Sequence, residues 1–280
     1  MVDVLIVWFV VCWLLLTIIS HMIIPSFKIL SKYTRFGPGP HKVEMLLEYP
    51  KVNTADPPDK WPRIRNKLII ELAPLDLMPH SVNLFIQQVH HGLWDGNELI
   101  TNPGHVMTFG YHRVEAHEGF VDRALENVSY QEYSSKYPHV QWTLGYMGRP
   151  GGPDFYINMR DNSVAHGPGG QADNYDLHNE ADPCFGKVVE GFDMLNDIST
   201  IPVDKDHGNE IQYPVVIIRA SVLVQHHRRD DSMGGGGGGD RGGGRDGEWE
   251  EVAQGHKYEE GEDEIMPLQT DEIRRAQGRN

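Results

Sequence analysis

The chain has 280 residues, a formal net charge of −15 at pH 7 and a sequence pI near 5.4. This length leaves room for one substantial domain with appendages. The acidic charge argues against a protein that wraps a nucleic-acid backbone, because such binding depends on clustered Lys and Arg. Of the two cysteines, Cys12 lies in an apolar run and Cys184 in an expected strand, so a disulfide between them is not expected.

The first distinct segment is the apolar run from Val4 to Ile24. As a helix it would span about 30 Å, which matches the hydrocarbon core of a bilayer. A cleaved signal peptide is the alternative interpretation, but the run is longer than a usual signal core and no basic residue precedes it. We therefore expect a single-pass membrane anchor over residues 4–24 and a linker over residues 25–60.

The charges around this run bear on which side of the membrane the domain occupies. Four basic residues follow the run and Asp3 precedes it, which favours a cytosolic domain by the positive-inside rule. The glycosylation sequon at Asn127 would instead fit a luminal domain. We expect a membrane protein whose domain lies on the cytosolic side, with the luminal side left open as the alternative.

Between Trp61 and Gln225 the sequence predicts a folded domain. Arg63–Leu72 predicts two short strands with a turn near Asn66. Pro79 is suited to the first turn of a helix, and an apolar stripe of helical period follows it before Gly92 ends the helix. The stripe consists of Val82, Phe85, Ile86 and Val89.

Later in the domain, Phe192–Ser199 predicts a second helix and Pro214–Val224 a closing strand. The stretch from Thr108 to Gln141 is polar and predicts a helical or irregular segment. After it, residues 226–280 contain the glycine run Gly234–Gly239 and an acidic stretch, so they predict a disordered tail. Removal of the chain after Gln225 is accordingly expected to leave the melting temperature unchanged.

Two glycine-punctuated segments carry a family resemblance. They are Gly145–Ile157 (GYMGRPGGPDFYI) and Phe185–Ile198 (FGKVVEGFDMLNDI). Both resemble core segments of the cyclophilin family of peptidyl-prolyl isomerases, and the resemblance extends over most of the domain. It implies a mainly β fold, a closed antiparallel barrel of about eight strands capped by two helices. It implies neither a metal nor a cofactor.

Prolyl isomerisation is slow because rotation about the peptide bond breaks amide resonance. The resemblance implies an arginine that donates to the amide nitrogen as the bond twists, an interaction stronger in the transition state than in the ground state. Here Pro103-Gly104 matches the family's Pro-Gly, and the arginine position falls on Ile100 or Thr101. Neither side chain can replace a cationic donor.

Other positions of the family's site also differ. Asp154 stands in place of a glutamine that binds a substrate carbonyl, and Tyr156 replaces a pocket-floor phenylalanine. Leu177 and Asp182 stand near the family's tryptophan and histidine, and Thr108 stands at a glutamine. The substrate-binding residues that the resemblance implies are His105, Val106, Leu144, Tyr146, Asp154 and Tyr156.

A second register is possible for the catalytic arginine. Tyr111–Val114 (YHRV) resembles the family's Phe-His-Arg-Val, and Arg113 would then be the catalytic arginine. The motif that should follow it is missing, which favours a surface arginine instead. Arg113 is therefore a second candidate for the catalytic arginine, whereas the first register places Ile100 or Thr101 at that position.

Together these features predict a membrane-anchored, cyclophilin-like isomerase domain with weak or no activity. The alternative is a non-catalytic module or scaffold that binds proline-containing or glycine-turn peptides. The expected partners are proline-containing peptides or protein segments and the membrane, and no nucleic acid.

Overall fold

The computed structural model describes residues 36–37, 39–111, 114–171, 180–225, 249–252 and 254. These residues form a mainly β structure with three α-helices and one 3-10 turn at Pro58–Lys60. The helices are α1 (Pro79–His90), α2 (Val114–Asp122) and α3 (Phe192–Ser199). The strands are β1 (His41–Pro50), β2 (Arg63–Leu72), β3 (Glu98–Thr101), β4 (Val106–Gly110), β5 (Thr143–Gly148), β6 (Gly151–Asn158), β7 (Cys184–Glu190), β8 (Val203–Asp204), β9 (Glu210–Ile211), β10 (Val216–Gln225) and β11 (Trp249–Val252).

Eight of these strands close into an antiparallel barrel, as the family resemblance implies. Their order around the barrel is β10-β1-β2-β7-β5-β6-β4-β3, and β3 pairs with β10 again through Glu98 and Val216. The Leu99 amide donates to the Val215 carbonyl at 2.9 Å and the Ile217 amide to the Asn97 carbonyl at 2.8 Å. Closure satisfies the backbone groups that a sheet edge would leave open.

The first barrel strand lies inside the segment expected to be a linker. Val43, Met45, Leu47 and Tyr49 alternate with more exposed residues and are fully buried. This period of two is the pattern of a strand with one buried face. The expected linker over residues 25–60 is therefore wrong for residues 41–50, which form β1.

β2 is one continuous strand, and the turn expected near Asn66 is wrong. Asn66 pairs with Leu47 within nine consecutive pairs that run from Lys42 and Glu71 to Pro50 and Arg63. Its side chain donates to the Tyr49 hydroxyl at 2.9 Å. The long partner strand therefore keeps Asn66 extended despite its preference for turns.

The two expected helices are present, and a third lies in the polar segment. The stripe of α1 is buried, and Phe85 packs at 4.8 Å from the Phe185 ring and 5.4 Å from the Phe155 ring. α3 has the bounds expected from the sequence. α2 buries only Phe120, and its ring meets Trp94 edge-on at 5.4 Å.

The loop after α2 is fastened to the start of α1 by a buried carboxylate. Glu132 accepts hydrogen bonds from the His80 amide at 2.9 Å and the Ser81 amide at 2.7 Å. These amides belong to the first turn of a helix, which has no partners of its own and attracts negative charge. The contact holds the connection between α2 and β5 beside the barrel.

The far C-terminal region differs from expectation at one place. Trp249–Val252 form β11, which pairs with β10 from Val222 to Gln225. The expected disordered tail is therefore wrong for these residues, because a four-residue stretch with two acids lacks a strong strand pattern in the sequence. Residues 226–248, 253 and 255–280 lie outside the described residues.

The expected membrane anchor over residues 4–24 also lies outside the described residues. Within the described part of the chain, every helix is too short or too polar to cross a bilayer. Cys184 is a free, buried cysteine, and Cys12 is not among the described residues.

Candidate active site

A row of four residues crosses the outer face of the barrel. Thr101 of β3 pairs with Thr108 of β4, Thr108 pairs with Tyr156 of β6, and Tyr156 pairs with Gly145 of β5. Because side chains alternate along a strand, residues on either side of these positions point into the core. That inner set consists of Leu99, Met107, Phe109, Leu144, Tyr146, Phe155 and Ile157.

A shift in the pairing register of β3 places Thr101, and not Ile100, in this row. The pairing of β3 with β4 shifts between Leu99 and Thr101, so Ile100 is an extra residue on its strand. Thr101 is therefore the residue directly opposite Thr108. Of the two positions expected to replace the family's arginine, Thr101 lies in the row, and both are partly exposed.

Tyr156 forms the centre of the row and lies flat across β5. Its ring carbon Cζ and its hydroxyl oxygen would each stand 2.6 Å from a Cβ atom at position 145, so only glycine fits there. The hydroxyl donates to Asp182 Oδ2 at 2.9 Å, and the side chain is only 2% exposed. Burial raises the pKa of Tyr156 well above its usual value.

Asp182 makes its three shortest side-chain hydrogen bonds with three separate parts of the chain. Besides Tyr156, it accepts from Arg149 Nε at 2.9 Å and is bonded to His166 Nδ1 at 2.6 Å. Burial alone would raise the pKa of Asp182, but the hydrogen bonds from His166 and Arg149 outweigh it and hold the pKa below its usual value. The carboxylate is therefore charged at neutral pH and neutralised by the buried arginine.

The loop after β6 carries His166 into this cluster. Asn162 anchors the loop, since its side-chain amide donates to the His105 carbonyl at 2.9 Å and to Asn158 Oδ1 at 2.8 Å. The His166 amide then donates to the Asn162 carbonyl, and the Asp182 amide to the His166 carbonyl. These backbone bonds fix the separation between the histidine ring and the carboxylate.

His139 lies beneath the same cluster and is fully buried. Its Nε2 is 2.8 Å from the Asp182 carbonyl, so this nitrogen carries the proton and donates. Nδ1 then faces the Tyr156 hydroxyl at 3.3 Å. Burial lowers the pKa of His139 to about 4, so the ring is neutral at pH 7.

His105 lies at the exposed margin of the cluster. Its ring stacks on His166 with centroids 6.2 Å apart. Burial lowers the pKa of His105, and the neighbouring His166 and Arg160 add to the effect. A neutral imidazole remains a hydrogen-bond donor but carries no cationic charge at pH 7.

Asp154 lies at the other end of the outer face, two residues before Tyr156. Its carboxylate packs against Gly110, where a Cβ atom would be 2.9 Å away. Burial raises the pKa of Asp154 to about 6, although the Tyr111 amide and the nearby His117 act in the opposite direction. Within the described part of the chain, its buried Oδ1 atom has no hydrogen-bond partner.

The structure brings four of the six candidate substrate-binding residues to the outer face and turns two away. The four are His105, Val106, Asp154 and Tyr156, and Val106 is 6% exposed. Leu144 and Tyr146 were wrongly assigned, because the alternation of β5 directs them into the core. Tyr146 stacks on Phe185 at 4.3 Å and donates to Gln88 Oε1 at 3.0 Å.

Three residues of this cluster, Arg149, His166 and His139, were not predicted from the sequence to be site residues. Arg149 lies in the turn between β5 and β6, His166 in the loop after β6, and His139 in the connection before β5. They come together with Asp182 only through the fold, so no spacing in the sequence identifies them. Arg113 and Leu177 lie outside the described residues. Among the described residues, no group of three or more His, Cys, Asp or Glu side chains could hold a metal ion.

A family model described as cyclophilin type peptidyl-prolyl cis-trans isomerase/CLD matches residues 63–222, more than half of the chain. The chain belongs to this family. The match begins at the first residue of β2 and ends within β10, so it spans all the outer-face strands of this cyclophilin-type domain. β1 and β11 lie outside the matched range.

Solved structures similar to this cyclophilin-type chain include one of a Cryptosporidium parvum cyclophilin type peptidyl-prolyl cis-trans isomerase. The identity is 14% and the TM-score 0.45, over 64% of this chain and 95% of that chain. A second structure, determined in the presence of the dipeptide Ala-Pro, gives 15% identity and a TM-score of 0.45, over 64% and 96%. No curated protein matches the chain at a significant level.

Proposed function

We propose that this cyclophilin-type domain has weak or no prolyl isomerase activity. Of Ile100 and Thr101, the two residues expected at the family's arginine position, Thr101 lies in the outer-face row opposite Thr108, and neither carries a cationic group. A neutral hydroxyl cannot supply a cationic donor to the twisting amide nitrogen. Loss of one preorganised donor commonly costs about 2.7–4 kcal/mol of transition-state stabilisation, or two to three decades in rate.

The observation that carries the proposal is the bond from Tyr156 to Asp182. A proline ring needs an open apolar floor, whereas Tyr156 is 2% exposed and its hydroxyl is held at 2.9 Å by the carboxylate. His166 covers the same ring, with centroids 4.7 Å apart. A proline ring could reach this floor only if Asp182 and His166 moved away.

The other cationic side chains near the face do not supply the missing donor. Arg149 is fully buried and its Nε atom is engaged by Asp182. His105 is neutral at pH 7, because its pKa is lowered by burial and by neighbouring positive charge. Arg160 lies near His105 and is exposed, so water screens its charge.

Isomerisation of a short proline-containing peptide by the purified full chain tests the proposal, measured by NMR exchange spectroscopy. We expect little or no acceleration by the native chain. Installing the donor and releasing the floor from Asp182 together, in Thr101→Arg/Tyr156→Phe, should raise the rate, and this variant keeps the buried Arg149–Asp182 ion pair. Thr200→Arg adds the same charge at an exposed position after α3 and should have no effect.

Two outcomes would overturn the proposal. Robust turnover by the native chain that Arg113→Ala abolishes would assign catalysis to Arg113, in the second register considered from the sequence. Robust turnover that survives Arg113→Ala but is lost in His105→Gln would assign the donor to His105.

A non-catalytic peptide-binding module is the second candidate, and Asp154 favours it. This residue is partly exposed on the outer face, and its Oδ1 atom has no hydrogen-bond partner within the described ranges. Below its pKa of about 6 the carboxyl is protonated, and it would donate to a carbonyl of a bound peptide once the atoms that cover the oxygen move aside. Titration with proline-containing and glycine-turn peptides distinguishes this module from a scaffold, because only the module shows saturable binding that Asp154→Ala weakens.

We also propose that residues 4–24 anchor the protein in a membrane, with the domain on the cytosolic side. The length and apolar character of the run support the anchor, and the basic residues after it support the orientation. Asn127 is exposed in the loop after α2, so its sequon is accessible to glycosylation on the luminal side. An endoglycosidase-sensitive mobility shift that Asn127→Gln removes would reverse the orientation, and extraction by carbonate would exclude the anchor.

A further inference from the structure

β10 has two halves with different neighbours on one of its edges. Near Val216 that edge pairs with β3, which closes the barrel. Beyond Ala220 it pairs with β11, from Val222 opposite Val252 to Gln225 opposite Trp249. Without β11, the second half of β10 would present unpaired backbone groups, as the edge of an open sheet does.

A group of polar contacts lies at Ala220, between the part of β10 that pairs with β3 and the part that pairs with β11. The Ala220 amide donates to Asp95 Oδ1 at 2.9 Å, and the Ala220 carbonyl accepts from Gln254 Nε2 at 2.9 Å. Gln254 Nε2 also donates to Asp95 Oδ2 at 3.2 Å. The segment that contains β11 is therefore bound at its far end by a side chain outside the strand ladder.

Side-chain contacts add specificity to the strand pairing. Ser221 Oγ donates to Glu251 Oε1 at 2.8 Å, and Arg219 Nη2 lies 3.8 Å from Glu251 Oε2. Lys42 Nζ lies 4.4 Å from the centroid of the Trp249 ring, in a cation–π contact. Val252 packs against the barrel core. The edge thus offers two cations, a hydroxyl and an apolar contact to an acidic segment with one tryptophan.

The connection between β10 and β11 does not determine this pairing. It comprises residues 226–248 and includes the run Gly234–Gly239, whereas tight hairpin loops have about two to five residues. A connection of this length leaves the register open, so the register depends on the contacts of the strands themselves. The covalent link supplies an effective concentration on the order of millimolar, so even a weakly binding segment would remain in place.

We propose that the β10 edge from Ala220 to Gln225, with Lys42 and Arg219, is a strand-binding site whose resident ligand is the chain's own segment Trp249–Gln254. This site lies on β1 and β10, whereas the outer-face row lies on β3, β4, β5 and β6. Its recognition chemistry is that of β-strand addition: backbone bonds give affinity, and the acid, the aromatic ring and the apolar residue give specificity. An extended acidic segment of the same pattern from another protein would compete for the edge.

The test uses the full chain in mild detergent, with a specific protease site in place of Gly234–Gly239. After cleavage, the segment should co-elute with the barrel at high concentration and separate on dilution. A labelled peptide of residues 247–256 should then bind the freed edge saturably. The same peptide with Glu251→Lys should bind about tenfold more weakly, because it loses a charge-assisted hydrogen bond and a nearby opposite charge. A scrambled peptide of identical composition is the matched control and should not bind.

A barrel-side variant provides an independent check. Ser221→Ala removes the hydroxyl that donates to Glu251 and should weaken the native peptide several-fold, but it should leave the Glu251→Lys peptide unaffected. Equal binding of native and scrambled peptides would reduce the contact to non-specific charge and overturn the proposal. Unfolding of the barrel on release of the segment, seen by far-UV circular dichroism, would make β11 an integral strand rather than a ligand. Stable dimers that exchange their tails would assign the edge to a second copy of the chain.

Discussion

Arg149 and Asp182 form an ion pair that is almost fully removed from solvent. Arg149 Nε is 2.9 Å from Asp182 Oδ1, and the two side chains are 0% and 5% exposed. They belong to the β5–β6 hairpin and to the residues just before β7, 33 positions apart in sequence. The pair fastens two connections of the barrel together over the Tyr156 ring.

The first prediction concerns the charge balance of this pair. Asp182→Asn removes the negative charge and leaves the arginine buried without compensation, which should lower the free energy of unfolding by about 3–5 kcal/mol. Arg149→Met/Asp182→Asn removes both charges and should be less destabilised than Asp182→Asn alone. Urea unfolding followed by tryptophan fluorescence measures both.

The Lys187–Glu71 pair on the surface is the matched control. Its atoms are 2.8 Å apart, but the side chains are 46% and 36% exposed. Glu71→Gln should therefore cost at most about 1 kcal/mol. A cost for Asp182→Asn as small as that for Glu71→Gln would show that burial does not set the strength of the Arg149–Asp182 pair.

Local sequence patterns predicted most of the barrel and little of the cluster above it. The helical stripe of α1 and the apolar run of β10 need only nearby residues to be recognised, and both are present. A turn was expected at Asn66 because the local sequence shows its turn preference but does not show the long partner strand β1, which keeps the residue extended. β11 was missed because its partner lies across a glycine-rich connection that carries no pairing signal.

The candidate site was likewise predicted only in part from the sequence. The Pro103-Gly104 match narrowed the expected arginine position to Ile100 or Thr101, and of these two residues Thr101 pairs with Thr108 in the outer-face row. Leu144 and Tyr146 were misassigned because family positions do not reveal which face of β5 a side chain occupies. His139, His166 and Arg149 lie on connections whose approach depends on tertiary structure alone.

The second prediction concerns stability in acid. Burial lowers the pKa of His139 to about 4 from 6.5, so between these values the unfolded chain binds a proton that the folded chain does not. Stability should therefore fall as the pH drops from 6.5 to 4, by about 3 kcal/mol from this residue. In His139→Gln this part of the decline should be lost, as measured by urea unfolding at several pH values.

An exposed histidine separates this effect from general acid sensitivity. His207 lies on the surface, and its bond to Asp204 raises its pKa, which is the opposite direction. His207→Gln should therefore leave the decline between pH 6.5 and 4 nearly unchanged. An unaltered decline in His139→Gln would assign the acid sensitivity to other groups.

The third prediction concerns Asp154 and rests on the peptide-binding candidate. Burial raises the pKa of Asp154 to about 6, so below pH 6 the side chain is a neutral acid that can donate a hydrogen bond. A donor at this position would act on a substrate carbonyl as the family's glutamine does. Peptide affinity should therefore rise about tenfold as the pH falls from 7.5 to 5, the effect of one hydrogen bond.

Asp154→Gln places the family's residue there and should bind equally well at both pH values. His105→Gln removes a titratable ring at the margin of the Asp182 cluster and should preserve the rise, which isothermal titration would measure. Because His117 also lies near Asp154, His117→Gln is a further control. A rise that persists in Asp154→Gln would place the titrating group elsewhere.

The last prediction concerns the length of chain that stabilises the barrel. The sequence alone suggested that the chain could end at Gln225 without loss, but β11 covers the β10 edge and Val252 packs against the core. Removal of residues 226–280 should therefore lower the melting temperature by several degrees, since about 1 kcal/mol corresponds to about 2–4 °C in a domain of this size.

Removal of residues 256–280 keeps the strand and Gln254, so the melting temperature should stay within about one degree, as expected for changes outside the packed structure. Differential scanning calorimetry of the two truncated chains compares them directly. Equal melting temperatures would mean that the β11 contacts contribute nothing to barrel stability, even if the segment occupies the edge.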